Sequence, residues 1–145
     1  MASNHEQFWT HQTYAVVGSE AQGGFPKLTY RGLKALGKKV FAVDPDRDQI
    51  EGDAAVHDFD ALPGSVDAVV LEVPKEQSAA WVEKAAAIGV RDVWIHMGRE
   101  SPDALRAART HGINLRTGTC AVMYVTPGLS YHAIHRGLMK LTGRY

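Results

Sequence analysis

A glycine-bearing turn near the start of the chain has the residue types best suited to ligand chemistry. It contains Gly18, Ser19, Glu20, Gln22, Gly23 and Gly24, and it has no bulky apolar residue. An apolar run at residues 14–17 precedes it, and apolar residues recur at helical spacing from residue 25 onward. A turn between a buried strand and a helix N-terminus presents free backbone N–H groups and the positive end of the helix dipole, which together attract phosphates. The sequence therefore predicts an anion-binding turn.

The glycine spacing matches neither of two common nucleotide-binding motifs. The dinucleotide motif Gly-x-Gly-x-x-Gly needs glycine where this chain has Glu20, and a P-loop needs Gly-Lys-Ser/Thr where this chain has Gly23, Gly24 and Phe25. A turn that is rich in glycine for structural reasons alone therefore stays open as an alternative.

The elements that must position this turn are alternating strands and helices. Apolar runs predict strands at residues 14–17, 39–43, 67–73, 92–96 and 113–117, and helical spacing predicts helices at residues 25–36, 75–88 and 101–111. We expect Leu36 and Ile88 to face inward, and residues 49–66 to be turn-rich with a short helical piece near residues 58–62. The alternation predicts a Rossmann-like, doubly wound, parallel five-stranded sheet in a three-layer α/β domain. We expect a single domain over residues 1–145, with a lead-in segment at 1–13, held by Phe8 and Trp9, and an amphipathic helix at 130–145.

In such sheets ligands bind beyond the carboxyl ends of the strands, where the direction of winding changes. This places three further segments beside the turn. Their candidate binding residues are Asp44, Pro45 and Arg47; Val73, Pro74 and Lys75; and His96, Met97 and Gly98.

Composition excludes several classes of partner. The 145 residues carry 16 basic and 16 acidic side chains, so net charge favours neither nucleic acid nor an anionic membrane surface. One cysteine excludes an internal disulfide framework and fits a reducing compartment. The polar N-terminus has no signal-peptide pattern, and no apolar run is long enough to span a membrane. We therefore expect a cytoplasmic protein with no nucleic-acid or membrane partner.

Six motifs, in order, resemble one known family. They are Ala-Val-Val-Gly-Ser (15–19), Val-Phe-Ala-Val-Asp-Pro (40–45), Ile-Glu-Gly (50–52), Leu-Pro-Gly-Ser-Val-Asp-Ala-Val (62–69), Gly-Val-Arg-Asp-Val-Trp-Ile-His-Met-Gly (89–98), and Cys120 after the fifth strand. Over residues 14–123 the chain resembles the small stand-alone CoA-binding proteins, which are related to the N-terminal domain of the succinyl-CoA synthetase α subunit.

The resemblance implies that coenzyme A, free or acylated, lies across the carboxyl ends of the strands. By position, the turn at residues 19–24 would hold the pyrophosphate and the loop at residues 43–45 would flank the adenosine. Val73 and Pro74 would line the nucleotide or the start of the pantetheine arm, and Arg47 would lie near the 3′-phosphate. The phosphohistidine of the synthetase belongs to a second domain that this chain lacks, so we expect a binding or regulatory protein without catalytic residues.

Two departures from the family pattern keep other functions open. Asp44 stands where the family usually has Asn, and with Glu20 it adds negative charge that Lys27 and Arg47 must outweigh. In NAD-binding folds, an acid at the end of the second strand is also the residue that accepts a hydrogen bond from the ribose 2′-OH. An NAD(H)-binding redox or sensor protein is therefore the first alternative. A ligand-free interaction module, whose C-terminal helix packs on a partner or on a second copy as a homodimer, is the second.

Cys120 and the histidines carry weaker signals. Cys120 is a candidate redox thiol that could exchange with the CoA thiol, or it is simply a small buried residue. His96 could contact a ligand or serve only as a hydrogen-bonded residue at the rim. His132 and His135 lack further metal ligands in their helix, so we expect no metal site.

Overall fold

The computed structural model describes residues 4–19, 25–117 and 121–125. The strands are β1 (Thr13–Val17), β2 (Lys39–Val43), β3 (Gln49–Ile50), β4 (Asp53–Val56), β5 (Ala68–Leu71), β6 (Asp92–Ile95) and β7 (Asn114–Arg116). The helices are α1 (Asn4–Phe8), α2 (Phe25–Ala35), α3 (Ser78–Ala87), α4 (Pro102–His111) and α5 (Val122–Val125). Short 3₁₀ turns lie at Phe59–Ala61 and Lys75–Gln77.

The strands form one sheet in the order β3-β4-β2-β1-β5-β6-β7. All neighbouring pairs are parallel except β3 with β4. β1 lies between β2 and β5, and its last residue, Val17, is opposite Val43 on one side and Leu71 on the other. The strand order reverses its direction of growth at β1, which confirms the doubly wound α/β prediction.

The predicted count of five strands is wrong, because the described residues alone form seven. The five predicted strands are present, but β3 and β4 form a hairpin in the stretch expected to be turn-rich. β3 has two residues and β4 is only partly buried, so neither gives the apolar run that marks a central strand. The turn between them uses Glu51 at φ 51° and Gly52 at φ 81°, a pair of positive φ values typical of tight hairpins.

Two apolar layers separate the helices from the sheet. On one face α3 and α4 cover a cluster that includes Val17, Leu71 and Ile95. On the other face α1, α2 and α5 cover a second cluster built on Val16, Val70 and Trp94. The predicted three-layer arrangement is therefore confirmed.

The lead-in helix is held as expected. Phe8 is fully buried, its ring centroid lies 5.4 Å from that of Trp94, and its carbonyl accepts a 2.9 Å hydrogen bond from the Tyr14 hydroxyl. Trp9 packs beside it, with its ring centroid 4.9 Å from that of Trp94. The aromatic contacts explain why so short a helix has a fixed place.

The ends of α4 lie where the sequence predicted them, but two residues that were expected to face inward are exposed. Ser101 caps α4 by accepting a hydrogen bond from the Ala104 N–H, and Gly112 ends that helix in the left-handed region. Leu36 and Ile88, however, are 48% and 44% exposed. Each directly follows the last helical residue, where the chain leaves helical geometry, so helical spacing no longer places its side chain on the buried face.

Within the described residues, no helix has the length and hydropathy needed to cross a membrane. The expected helix at residues 130–145 lies outside the described residues.

Candidate functional site

The carboxyl ends of four adjacent parallel strands meet along one edge of the sheet. Backbone hydrogen bonds continue past the strand ends: Gly18 N–H donates to Val43 O (3.0 Å), Glu72 N–H to Val17 O (2.8 Å), and His96 N–H to Leu71 O (3.0 Å). The segments after β1, β2, β5 and β6 are therefore in register side by side. This brings the four predicted segments to one edge.

A pocket of about 110 Å³ opens at this edge. Its lining residues are Gly18, Ser19, Pro45, Asp46, Val73 and Gln77. Four of the six were predicted site residues, and they come from three different strand ends. Asp46 and Gln77 were not among the predicted site residues. Pro74 and Lys75 lie in the same segment as the lining residues Val73 and Gln77, but they do not line this pocket.

Gly18 is required by close packing. A Cβ built on it would lie 2.6 Å from Pro26 Cγ and 2.7 Å from the Glu72 carbonyl oxygen. The end of β1 is thus pressed between the start of α2 and the end of β5. Only a residue without a side chain lets the turn begin this close to the helix N-terminus, where anions bind.

The loop after β2 is shaped by Asp44. Its carboxylate is 1% exposed and accepts a 2.9 Å hydrogen bond from the Asp46 N–H, which is an Asx turn. The same turn leaves Pro45 and Arg47 exposed at the rim. Asp44 therefore helps to build the loop, while its neighbours provide the surface that a ligand can reach.

The segment after β5 leaves the sheet as a 3₁₀ turn. Pro74 precedes it, the Gln77 N–H donates to the Pro74 carbonyl (2.9 Å), and the Ser78 hydroxyl donates to the Lys75 carbonyl (2.8 Å). This tight turn brings Gln77 to the pocket. A continuous helix from residue 75 was predicted, so the position of Gln77 could not be anticipated.

The segment after β6 closes the far side of the edge. His96 is 5% exposed, Met97 is exposed, and Gly98 adopts φ 79° in a turn closed by a 3.0 Å bond from Arg99 N–H to His96 O. These residues do not line the pocket described above. Their role in ligand binding stays a prediction.

Glu72 is a buried acid that the sequence analysis did not single out. Its Oε1 accepts a 2.6 Å hydrogen bond from the Thr29 hydroxyl of α2 and lies 3.6 Å from His96 Nδ1. Burial raises the pKa of Glu72 to about 7, against lowering effects from the Thr29 hydrogen bond and from Arg99. Glu72 directly follows the apolar strand β5, so one glutamate gave no signal of its own, and its partner Thr29 is 43 residues earlier in the chain.

Lys27 forms an ion pair within the described residues. Its Nζ lies 3.0 Å from Glu51 Oε1, and Arg31 also pairs with Glu51. These ion pairs tie α2 to the β3–β4 hairpin. A role for Lys27 toward a phosphate stays a prediction, and it would require Lys27 to share its charge with Glu51.

Five predicted site residues lie outside the described residues: Glu20, Gln22, Gly23, Gly24 and Cys120. In the part of the chain that the structure describes, no group of three or more His, Cys, Asp or Glu side chains is placed to share a metal ion.

The geometry offers backbone donors at a helix N-terminus, a proline-bearing rim loop and the polar residue Gln77 in the 3₁₀ turn that follows β5. Such a set suits a nucleotide with phosphates, a planar base and an extended polar arm. Glu72 and His96 are both buried, and neither is among the residues that line the pocket.

Comparisons with known proteins agree with this chemistry. Residues 12–126 match the CoA binding domain family. A conserved hypothetical protein from Pyrococcus furiosus superposes with a TM-score of 0.69 at 27% identity, covering 77% of this chain and 97% of that one. A hypothetical protein from Pyrococcus horikoshii OT3 gives a TM-score of 0.72 at 20% identity, covering 83% and 85%. No curated protein matches the sequence.

A larger enzyme contains a similar fold. The apo form of a dinucleotide-forming acetyl-coenzyme A synthetase from Candidatus Korarchaeum cryptofilum superposes with a TM-score of 0.63 at 21% identity. The match covers 77% of this chain but only 27% of the synthetase. The likeness is one of fold, and it involves a small part of that enzyme.

Proposed function

This chain belongs to the CoA binding domain family, and from that membership we propose that it binds coenzyme A or an acyl-CoA across the carboxyl ends of β1, β2, β5 and β6. The pocket at this edge carries the proposal, because residues from three strand ends line it. It is also where doubly wound sheets bind nucleotides.

The pyrophosphate lies at the turn that follows Gly18, against the N-terminus of α2. The close packing of Gly18 supports this, since it brings the turn up to the helix end. The adenosine lies against Pro45 and Asp46, and the pantetheine arm begins along Val73 and Gln77. Arg47, exposed in the same loop as Pro45, pairs with the 3′-phosphate.

The protein acts as a binding or regulatory protein in the cytoplasm and not as an enzyme. The synthetase with a similar fold is almost four times longer than its matched part, so its activity is not carried over to this chain. Cys120 as a redox thiol, and a homodimer formed by the C-terminal segment, stay predictions from the sequence.

Asp44 argues against the NAD alternative. Its carboxylate is buried and already accepts a hydrogen bond from Asp46 N–H, so it is poorly placed to receive a ribose hydroxyl. The family match likewise supports CoA and offers no support for NAD.

Thermal unfolding with and without ligand tests the proposal. At a CoA concentration about 100 times its Kd, the free energy of unfolding should rise by about 2.7 kcal/mol. NAD at the same concentration should raise it less. A larger shift with NAD would support the redox or sensor function, and no shift with either nucleotide would support an interaction module.

A charge placed in the pocket tests its location. Gln77→Glu adds a carboxylate beside the ligand and should weaken CoA binding at least about fivefold through repulsion of the phosphates. Gln7→Glu makes the same change on the exposed surface of α1 and should leave CoA affinity unaltered. Equal affinity in the two variants would show that CoA binds elsewhere.

A further inference from the structure

Glu72 connects three of the segments that form the edge site. Its backbone N–H pairs with Val17 at the end of β1, and its carbonyl oxygen is the atom against which Gly18 packs. Its side chain holds Thr29 of α2 and faces His96 after β6. A change in the charge of Glu72 therefore acts on the turn at Gly18, on α2 at Thr29 and on the segment after β6 at His96.

The carboxyl group of Glu72 is buried, and only one of its two oxygens has a hydrogen bond within the described residues. The residue is 7% exposed, and Oε2 has no hydrogen-bond partner among the described residues, whereas Oε1 is held by the Thr29 hydroxyl. An ionised carboxylate with one unpaired oxygen is costly in such surroundings. A neutral carboxylic acid at this place costs much less.

The groups that face Glu72 do not neutralise it fully. Thr29 donates a hydrogen bond but carries no charge, and among the described residues at the end of β1 the contacts with Glu72 come from the uncharged Val17 and Gly18. From the segment after β6, His96 Nδ1 lies 3.6 Å away, and Arg99 acts electrostatically to favour the ionised form. Even so, burial keeps the pKa of Glu72 near 7, so both protonation states are accessible around neutral pH.

The position of Thr29 places this carboxyl close to where an anion would bind. Thr29 is four residues after Phe25, the first residue of α2, which is about 6 Å along a helix axis. An anion bound by the first N–H groups of α2 would therefore lie roughly 10 Å from the Glu72 carboxyl, once its own distance from the helix end is added to this rise. Unit charges at that separation repel strongly when the effective dielectric constant is about 20.

Resting on the proposed function, we propose that the Glu72 carboxyl takes up a proton from solvent when the site binds its phosphate-bearing ligand, so that affinity falls as pH rises. The proton goes to the carboxylate of Glu72, and no other bond forms or breaks. Ligand binding and protonation then favour each other, as linkage requires.

Calorimetric titration with dephospho-CoA tests the inference. This probe is chosen because it lacks the 3′-phosphate monoester, which would itself titrate near pH 6. The Kd of the wild-type protein should be about tenfold larger at pH 8.5 than at pH 6, the size that the Coulomb repulsion predicts. Glu72→Gln should abolish that difference and keep the tighter affinity at both pH values. Glu76→Gln removes an exposed carboxylate from the nearby 3₁₀ turn and should retain the difference.

A second measurement needs no variant. In two buffers of different ionisation enthalpy at pH 7.5, the wild-type protein should take up a fraction of a proton for each ligand bound. A Kd that does not change with pH, an unchanged pH dependence in Glu72→Gln, or the absence of proton uptake would each overturn the inference while leaving the proposed function in place. Failure of both CoA and dephospho-CoA to bind the folded protein at either pH would overturn both.

Discussion

Gly32 of α2 and Val125 of α5 are in direct contact. A Cβ built on Gly32 would lie 2.6 Å from both the Cγ2 atom and the carbonyl oxygen of Val125. Because one of these atoms belongs to the backbone, a side-chain rotation cannot relieve the clash. The close approach of the two helices therefore depends on this glycine.

Gly32→Ala should lower the free energy of unfolding by about 1–2 kcal/mol. Overpacking typically costs about 1–3 kcal/mol, and the better helix propensity of alanine offsets up to about 1 kcal/mol of it. Urea unfolding monitored by tryptophan fluorescence measures the change. Gly64→Ala is the matched control, because its nearest neighbour, Phe41 Cζ, is 4.0 Å from the added carbon. If both variants unfold at the wild-type midpoint, the α2–α5 contact is not as described.

Stability should depend on pH through Glu72. Its pKa in the folded protein, about 7, is above the ordinary value of 4.5, so the folded state binds the proton more tightly than the unfolded chain. The resulting stabilisation is complete below about pH 4.5 and is lost as pH rises through 7. The loss amounts to about 3 kcal/mol at most.

Urea unfolding of the wild type and Glu72→Gln at several pH values between 5 and 8.5 measures this effect. The stability difference between the two proteins should shift in favour of the variant as pH rises. Glu76→Gln should follow the wild type, since that carboxylate is exposed. A difference between wild type and Glu72→Gln that stays constant with pH would mean that Glu72 ionises as readily as an exposed acid.

Ser101→Ala should cost about 1 kcal/mol of stability. The Ser101 hydroxyl oxygen accepts a 3.1 Å hydrogen bond from Ala104 N–H at the start of α4, and alanine leaves that N–H without its cap. Thermal unfolding compared with the exposed control Ser65→Ala measures the loss. Equal melting temperatures for the two variants would show that the cap contributes nothing.

Arg47→Ala should distinguish CoA from dephospho-CoA. If Arg47 pairs with the 3′-phosphate, the variant should lose about 1.5–3 kcal/mol of CoA binding and little of dephospho-CoA binding. Calorimetry with both ligands measures the difference. Arg109→Ala removes an exposed arginine from α4 and should bind both ligands like the wild type. Equal losses for CoA and dephospho-CoA would place Arg47 away from the 3′-phosphate.

The central part of the sheet could be predicted because its strands are buried on both faces. Residues 68–71 of β5, for example, are all buried, so they form the continuous apolar run that marks such a strand. The β3–β4 hairpin could not be recognised in the same way. Its contacts with α2 join residues distant in sequence, such as Arg31 and Lys27 with Glu51.

The sequence predicted which edge of the sheet carries the site, but it did not predict which side chains contact one another there. Topology alone requires that Gly18, Pro45 and Val73 meet, because each follows a parallel strand. Topology does not predict that the 3₁₀ turn after β5 brings Gln77 to the pocket. Nor does it say that Glu72 meets Thr29, since that contact depends on how α2 lies on the sheet.

Among the described residues, the strands at the two edges of the sheet are short. β3 consists of Gln49 and Ile50, and β7 has only three residues, Asn114–Arg116. A strand this short exposes few unpaired backbone groups, so a strand from another molecule can form few hydrogen bonds with it. The parallel strands β2, β1, β5 and β6, whose apolar sequences would be the most prone to aggregate if exposed, lie between these edges. We therefore expect the native protein to resist edge-to-edge polymerisation, and any amyloid-like assembly to require prior unfolding of the centre of the sheet.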